Sequence, residues 1–164
     1  MCSSDLGCRV PFIVRWPGQI KPRVSDQIIS LVDCYATLAK IVGKDFPASV
    51  APDSLDLSSV VLGKTDKNLR DHTVLHGIGG LALRKGDWKY IPASSGAGGM
   101  GSGANAADER FAAATIPNPL LFNLAADPNE KENIIEKHPE KAAELAEELE
   151  SIKNSPTMPT QSKS

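Results

Sequence analysis

The sequence has 164 residues, of which 41% are hydrophobic and 23% charged, and its formal net charge is −2. These values are typical of a globular domain and exclude a fibrous or wholly disordered chain. No apolar run reaches the roughly 20 residues that a membrane-spanning helix needs. The basic residues are scattered and only 5% of the residues are aromatic, which argues against a nucleic-acid-binding protein.

Residues 1–6 differ in character from the chain that follows. They have neither the basic start nor the apolar core of a signal peptide. Their sequence, MCSSDL, is what the end of a common sequencing-library adapter gives on translation. We therefore expect residues 1–6 to be a non-native assembly scar, and we expect the native chain to begin further upstream.

A strand and a helix are predicted next. Residues 10–16 are mostly β-branched or aromatic and precede a Pro-Gly turn at 17–18, which predicts a largely buried strand. Apolar residues recur at helical spacing over residues 28–42, which predicts a helix. Its cap would come from residues 25–26, and Gly43 would end it.

The middle of the chain predicts a small antiparallel sheet. Residues 73–76 and 120–124 are short strand candidates, and residues 81–84 and 88–91 flank the tight turn of a hairpin. The glycine-rich residues 77–80 are expected to form an irregular bend rather than a regular element.

The remaining segments are predicted as helices, a loop and a tail. Residues 57–62 predict a short helical turn, residues 93–107 a flexible glycine-rich loop, and residues 108–114 a short helix. Pro139 suits the first turn of an amphipathic helix, and residues 154–164 are expected to be disordered. The apolar stripe of that helix contains Ala142, Leu145, Ala146, Leu149 and Ile152.

Chemical motifs are sparse. Residues 96–101 fit G-x-G-x-x-G, but a loop continues where a dinucleotide-binding turn would open a helix, so a flexible loop is favoured. The cysteines and histidines show no metal-binding spacing, and no set of nucleophile, base and orienting group can be assembled. We therefore predict no catalytic residue and no metal ligand. The residues considered are Cys2, Cys8, Cys34, His72, His76 and His138.

His76 is the candidate binding residue. It follows an apolar strand candidate and precedes a glycine-rich bend, so its imidazole would project into a cleft and donate to an anionic ligand. The alternative is a surface or hydrogen-bonded structural histidine. Arg9, Arg15, Arg84 and Lys85 are further candidates for anion contacts, although residues beside apolar strands are more often solvated or ion-paired.

Four segments occur in a recognisable order. Residues 7–18 are similar to G-G-x-R-V-P-x-I-x-R-W-P-G and match it from Arg9 to Gly18, whereas Gly7-Cys8 departs from the usual Gly-Gly, and residues 32–39 fit V-D-x-x-x-T-L-A. Residues 81–91 are similar to A-[IL]-R-x-G-x-W-K-x-I, and residues 121–133 to L-Y-[ND]-L-x-x-D-P-x-E-x-x-N. The ordered set resembles the type I sulfatases, the arylsulfatase-like branch of the alkaline phosphatase superfamily.

The resemblance implies an α/β to α+β fold that forms the C-terminal part of a sulfatase. A strand and a helix would come from the main sheet layer, followed by a small antiparallel sheet packed by a C-terminal helix. Residues 7–63 would end the main α/β domain. Residues 64–153 would form the C-terminal antiparallel subdomain, with residues 93–107 as its flexible loop.

The same resemblance implies hydrolysis of sulfate esters with a formylglycine, made from the Cys or Ser of C/S-x-P-x-R, and with Ca²⁺. No cysteine of this chain has that context, and the family's metal carboxylates lie upstream of the segment at 7–18. We expect Ca²⁺ and formylglycine in the full-length protein, none bound by this chain, and no activity from this chain alone. His76 falls where related sequences place a histidine near the substrate mouth, which implies a substrate contact.

The implied partners are a sulfated small molecule or glycan and the missing N-terminal part of the same chain, with no nucleic acid and no membrane span. Sulfatases are commonly periplasmic or secreted, but the chain itself does not indicate its location. Two alternatives remain. One is a non-catalytic α+β carbohydrate-binding or interaction module, and the other is a phosphoesterase of the same superfamily.

Overall fold

The computed structural model describes residues 10–47, 49–77, 80–94 and 116–155. Several predicted features fall outside these ranges: the scar at 1–6, nearly all of the loop at 93–107, the helix at 108–114 and most of the tail at 154–164. The chain divides into two compact units, built mainly from Phe12–Thr73 and Val74–Ser151. The family-derived boundary after residue 63 stays a prediction.

The Phe12–Thr73 unit contains two helices, α1 (Asp33–Ile41) and α2 (Ser58–Val61). Gly43 ends α1 as predicted. Its φ of +69° is a left-handed conformation that glycine adopts without strain. The N–H of Gly43 donates to the carbonyl of Lys40 and the N–H of Lys44 to that of Ala39, which is the Schellman pattern of helix ends.

Helix α1 is shorter at its start than predicted. Residues 28–32 are not helical, and neither Ser25 nor Asp26 caps the helix. The helix begins at Asp33, whose carboxylate is only 2% exposed and accepts the N–H of Ser30 at 2.9 Å. Of the apolar residues over 28–32, Ile28 is buried in an irregular segment, whereas Leu31 and Val32 are 68% and 51% exposed, so their spacing does not mark a helix face.

The predicted buried strand over residues 10–16 is wrong. This segment forms no strand, and its apolar side chains are exposed, from 42% for Val14 to 87% for Ile13. A strand requires a hydrogen-bonded neighbour, and the described residues provide none for this segment. The segment therefore has the composition of a buried strand but no neighbouring strand among the described residues.

The Val74–Ser151 unit is built on a four-stranded sheet in the order β1-β2-β3-β4, and this confirms the predicted small antiparallel sheet. The strands are β1 (His72–Gly77), β2 (Gly80–Lys85), β3 (Trp88–Ile91) and β4 (Leu120–Asn123). Strand β3 is antiparallel to both β2 and β4. The irregular bend predicted over 77–80 is wrong at both ends, because Gly77 ends β1 and Gly80 begins β2.

Strand register sorts the side chains onto two faces of the sheet. Leu83, Tyr90 and Leu121 are aligned across three strands and are buried. The opposite face carries an apolar cluster of Ala82, Ile91, Phe122 and Leu124. The sheet is thus covered on both faces, which explains why its strands have few fully exposed positions.

Helix α3 (Pro139–Lys153) buries Ala142, Leu145 and Leu149, three residues of the predicted apolar stripe. Lys85 of β2 donates to Glu148 of this helix at 2.7 Å. Leu83 and Lys85 are two residues apart on β2, so their side chains lie on the same face of the sheet. The contact between Lys85 and Glu148 therefore holds α3 over that face. The predicted C-terminal helix that packs a small antiparallel sheet is therefore confirmed. Among the described residues, no helix combines the length and apolar character needed to cross a bilayer.

Candidate functional site

A buried ion pair lies in the Phe12–Thr73 unit. Arg70 Nη2 and Nε donate to the two carboxylate oxygens of Asp33 at 2.6 and 2.8 Å. The two side chains are only 4% and 3% exposed. This fork-to-fork geometry is the strongest form of a charged hydrogen bond in proteins.

Backbone groups complete the bonding of this pair. The N–H groups of Ser30 and Leu55 donate to the Asp33 carboxylate, each at 2.9 Å. Arg70 donates to the carbonyls of Asp53 at 2.8 Å and His72 at 3.3 Å. Each carboxylate oxygen thus has two donors, and the cost of burying the two charges is offset by hydrogen bonds.

Thr37 extends the same network along helix α1. Its hydroxyl accepts the N–H of Leu57 at 3.0 Å, and the Ser54 hydroxyl accepts the N–H of Ala36 at 2.9 Å. Asp33 and Thr37 are the Asp and Thr of the V-D-x-x-x-T-L-A motif. In this chain, therefore, both polar residues of that motif hold the helix against the loop that leads to α2.

A second buried ion pair lies in the other unit. Lys89 Nζ donates to both oxygens of Glu130 at 2.7 Å, and the two side chains are 3% and 2% exposed. Glu130 has a φ of +54°, a left-handed conformation that is rare for a residue with a side chain. The ion pair therefore holds a turn that its own backbone preference would not select.

The D-P-x-E-x-x-N segment is a set of backbone caps. The Asp127 carboxylate accepts the N–H groups of Lys131 at 2.6 Å and Glu132 at 2.9 Å. The hydrogen bond from Glu132, followed by that from Lys131, lowers the pKa of Asp127. Asn133 Oδ1 accepts the N–H of Leu121 at 2.9 Å, which ties the segment to strand β4.

His76, the predicted substrate contact, lies on β1 next to its last residue, and it is exposed. Its position at a strand end agrees with the predicted placement beside a glycine-rich bend, whereas a role in binding is not tested by the fold. The other two histidines have structural contacts. His72 is buried with Nδ1 2.7 Å from Asp71, and the His138 ring packs edge-on against Trp88 at 5.1 Å.

The basic residues predicted as candidate anion contacts also differ in their surroundings. Lys85 is paired with Glu148, and Arg84 Nε donates to the carbonyl of Gly86 at 3.2 Å within the hairpin. Arg15 lies on the exposed segment at 10–16, in the other unit, and Arg9 lies outside the described residues. The chain therefore brings no two of these candidates together with His76 into one described site.

The described residues do not fit a metal or a formylglycine. They contain no group of three or more His, Cys, Asp or Glu side chains able to hold a metal ion. Cys34 is a free, half-buried thiol within α1, followed by Tyr-Ala-Thr-Leu rather than x-Pro-x-Arg. Cys2 and Cys8 lie outside the described residues.

Sequence reasoning missed both buried ion pairs. The sequence places Asp33 in a predicted helix and a family motif, and Lys89 in a predicted hairpin, without a charged partner for either. One signal was available for the first pair, because Asp33, Ala36 and Thr37 share a helix face and a charged residue on such a face needs a buried partner. Nothing in the local pattern identified Arg70 as that partner, 37 residues away.

The sequence of the chain is similar to the sequences of several known proteins. The chain is 38% identical over 153 residues to the N-acetylgalactosamine-6-O-sulfatase of Bacteroides thetaiotaomicron, covering 91% of this chain and 28% of that protein. It is 34% identical to arylsulfatase K of Bos taurus, covering 95% of this chain and 27% of that protein. No model of a protein family matches the chain.

The fold of the chain is also similar to that of a solved structure. A Bacteroides thetaiotaomicron protein from a study of the metabolism of multiple glycosaminoglycans superposes with a TM-score of 0.74 at 37% identity. The match covers 92% of this chain and 30% of that protein. The chain is therefore a sulfatase homologue over most of its length, and the resemblance predicted from its four motifs is confirmed. It spans little more than a quarter of the length of the curated relatives.

We predict that Arg70→Met lowers the free energy of unfolding by about 3–5 kcal/mol, because it leaves the Asp33 carboxylate buried without its cation. Urea denaturation followed by circular dichroism measures this. The matched control is Arg23→Met, since the Arg23 pair with Asp66 is 3.2 Å long and 94% exposed on the Asp66 side, and it should cost less than about 1 kcal/mol. A loss for Arg70→Met as small as that of the control would contradict a structural role for the ion pair.

We also predict a pH-dependent contribution from Asp127. Its pKa is lower in the folded chain than the ordinary value of 3.8 for this side chain, so the carboxylate stabilises the fold above that pH and ceases to do so as the pH falls through the folded pKa. The Tm of Asp127→Asn should be lower than that of the parent at neutral pH, and the difference should shrink below pH 3.8. The charge-matched control is Asp45→Asn at an exposed position, and an Asp127 difference that persists unchanged at low pH would refute the prediction.

Proposed function

We propose that this chain is the C-terminal portion of a sulfatase that hydrolyses sulfate esters of carbohydrates. The observation that supports this most is the 38% identity to an N-acetylgalactosamine-6-O-sulfatase across 91% of the chain. A carbohydrate is favoured over an aryl sulfate because a curated relative that is 38% identical is named for a sulfated amino sugar. Formylglycine and Ca²⁺ would come from polypeptide outside this sequence, since the described residues fit neither.

Within this proposal the chain supplies the frame of one wall of the cleft rather than reacting groups. Sulfate-ester hydrolysis needs a nucleophile and positive charge placed against the sulfuryl oxygens. The polar motif residues Asp33, Thr37, Asp127 and Asn133 are all occupied by bonds within the chain. His76 is the exposed histidine at a strand end, and we propose that it contacts the substrate.

The proposal predicts that the 164-residue chain alone does not hydrolyse 4-nitrophenyl sulfate or 6-O-sulfated N-acetylgalactosamine, with or without Ca²⁺. A chimera in which residues 10–155 replace the aligned segment of the Bacteroides thetaiotaomicron sulfatase should hydrolyse the sulfated sugar. Release of sulfate, measured by ion chromatography, checks both. A folded chimera without turnover would contradict the proposed sulfatase function, and turnover by the chain alone would contradict the need for further polypeptide.

The same chimera tests His76. We predict that His76→Ala raises KM for the sulfated sugar roughly 10- to 100-fold, the expected loss for one hydrogen bond to a charged group, and leaves kcat within about twofold. The substitution should not change Tm, because the side chain is exposed. Lys67→Ala, which removes an exposed cation from a loop, is the control and should leave KM unchanged. Equal KM values for the two variants would assign His76 to the solvated surface.

The non-catalytic alternative makes a different prediction for the same chain. A carbohydrate-binding module would bind unsulfated and sulfated sugars by itself, without the chimera. Isothermal titration of the isolated chain with both sugars separates the two functions, and binding of neither favours the sulfatase.

A further inference from the structure

A small pocket in the Phe12–Thr73 unit is lined by the Pro-Gly turn at 17–18 together with the ends of helices α1 and α2. Its volume is about 280 Å³. Pockets for drug-sized ligands usually enclose roughly 300–1,000 Å³, so this one suits a single sugar ring rather than an oligosaccharide. Its lining combines one aromatic residue and two lysines with polar side chains, namely Trp16, Lys40, Lys64, Gln19 and Ser58.

A tight turn places Trp16 and Gln19 at this pocket. The N–H groups of Gln19 and Ile20 donate to the Trp16 carbonyl at 3.1 and 3.0 Å. Gly18 within the turn has a φ of +81°, which a residue with a side chain rarely adopts. Trp16 is 43% exposed, and an indole offers a ligand a broad apolar surface and one N–H donor. The turn therefore holds an aromatic surface and an amide beside each other.

The two lysines are placed by helix ends of the same kind. Lys40 is in the last turn of α1, and Lys64 follows the end of α2. The N–H of Gly63 donates to the carbonyl of Val60 at 3.0 Å and the N–H of Lys64 to that of Ser59 at 2.8 Å, which is the Schellman pattern also found at the end of α1. These bonds fix the backbone at both lysines, while the lysine side chains stay exposed.

The charges of the two lysines are not neutralised by any described residue. Neither Lys40 nor Lys64 forms an ion pair or a side-chain hydrogen bond within the described ranges. Asp66 pairs instead with Arg23 at 3.2 Å, and Asp56 accepts a backbone N–H of α2 at 2.8 Å. No described acidic residue lines the pocket. The pocket therefore carries an excess of positive charge, which favours an anionic ligand.

We propose that the pocket of Trp16, Lys40 and Lys64 binds a sugar unit that carries a sulfate ester. The two ammonium groups contact the sulfate oxygens as point charges, and the sugar ring packs on the apolar surface of Trp16. Gln19 and Ser58 supply donors and acceptors for the hydroxyl groups of the ring. The choice of a sulfate ester rests on the function proposed above, whereas the preference for an anion rests on the lysines.

The test is isothermal titration of the full 164-residue chain with N-acetylgalactosamine 6-sulfate, with unsulfated N-acetylgalactosamine and with inorganic sulfate. The sulfated sugar should bind at least about tenfold more tightly than either of the others, because only it contacts both the lysines and Trp16. Lys40→Ala and Lys64→Ala should each raise its Kd at least about fivefold, since each removes a charged hydrogen bond. The Kd should also rise with added NaCl, which screens exposed charges.

The matched control is Lys44→Ala, because Lys44 is an exposed lysine just beyond α1 that does not line the pocket. It should leave the Kd within about twofold. Trp16→Ala should weaken binding of the sulfated sugar and leave binding of inorganic sulfate within about twofold, which separates the ring contact from the charge contact. The lysine variants should keep the parent Tm, because the side chains of Lys40 and Lys64 hold no other described residue.

Equal affinity for the sulfated and unsulfated sugars would overturn the proposed site, and so would a loss for Lys44→Ala as large as that for Lys40→Ala. Absence of binding by the sulfated sugar would overturn it as well. A carbohydrate-binding module would bind both sugars, so selective binding of the sulfated one also separates the site from that alternative. Sulfate release by the chimera is a separate measurement. Turnover there without binding here would overturn the pocket alone, and binding here without turnover there would overturn the proposed function alone.

Discussion

The bidentate pair of Asp33 and Arg70 is the constraint on which the Phe12–Thr73 unit depends. Burying two charges costs several kcal/mol per ion, and an ion pair that lacked its other hydrogen bonds would not repay that cost. Here every carboxylate oxygen has two donors, two of which are backbone N–H groups from segments on either side of the helix. The pair therefore stabilises one arrangement of helix and loop rather than merely adding to the total stability. Displacing the helix by one residue would leave both charges unsatisfied.

The Val74–Ser151 unit also contains a buried ion pair, between Lys89 and Glu130. Lys89 is part of strand β3 and its side chain lies on the face that also carries Phe122. The Glu130 carboxylate reaches it only because residue 130 adopts a positive φ, and a left-handed conformation costs about 1–2 kcal/mol for a residue with a Cβ. Two charge-assisted bonds at 2.7 Å offset that cost. Among the described residues, each unit thus contains a buried ion pair that holds an irregular segment in place.

The sequence predicted best where the determinants are local. The hairpin at 81–91 was predicted because a two-residue turn with Gly86 lies between two apolar runs, and α3 because its apolar stripe has a helical period. The failures have the opposite cause. Segment 10–16 has strand composition, but a strand also needs a neighbour that composition does not supply. The start of α1 depends on Arg70, which is distant in sequence and carries no pattern of its own.

The family motifs indicate ancestry because their polar residues form hydrogen bonds that the fold requires. Asp33, Thr37, Asp127 and Asn133 each accept backbone N–H groups or hold a partner that a different side chain would leave unsatisfied. Such residues identify a fold, whereas chemistry resides in a site that can vary on the same fold. The relationship to sulfatases therefore follows from residues whose described contacts are structural. His76 has the opposite character, since it is exposed on β1 and is not required by the packing of any described element.

Several large apolar residues of the Phe12–Thr73 unit are exposed to solvent. In the Phe12–Thr73 unit, Asp33 and Thr37 are buried and bonded, whereas the apolar residues of segment 10–16 and Tyr35 and Leu38 of α1 face solvent. This reverses the usual distribution of polarity. Scattered exposed apolar residues are ordinary in globular proteins, but Phe12, Ile13, Val14 and Trp16 lie together in one segment. A contiguous apolar surface is typical of an interface. The folding determinants of the Phe12–Thr73 unit are therefore its buried polar contacts, whereas the apolar side chains of segment 10–16 form exposed surface.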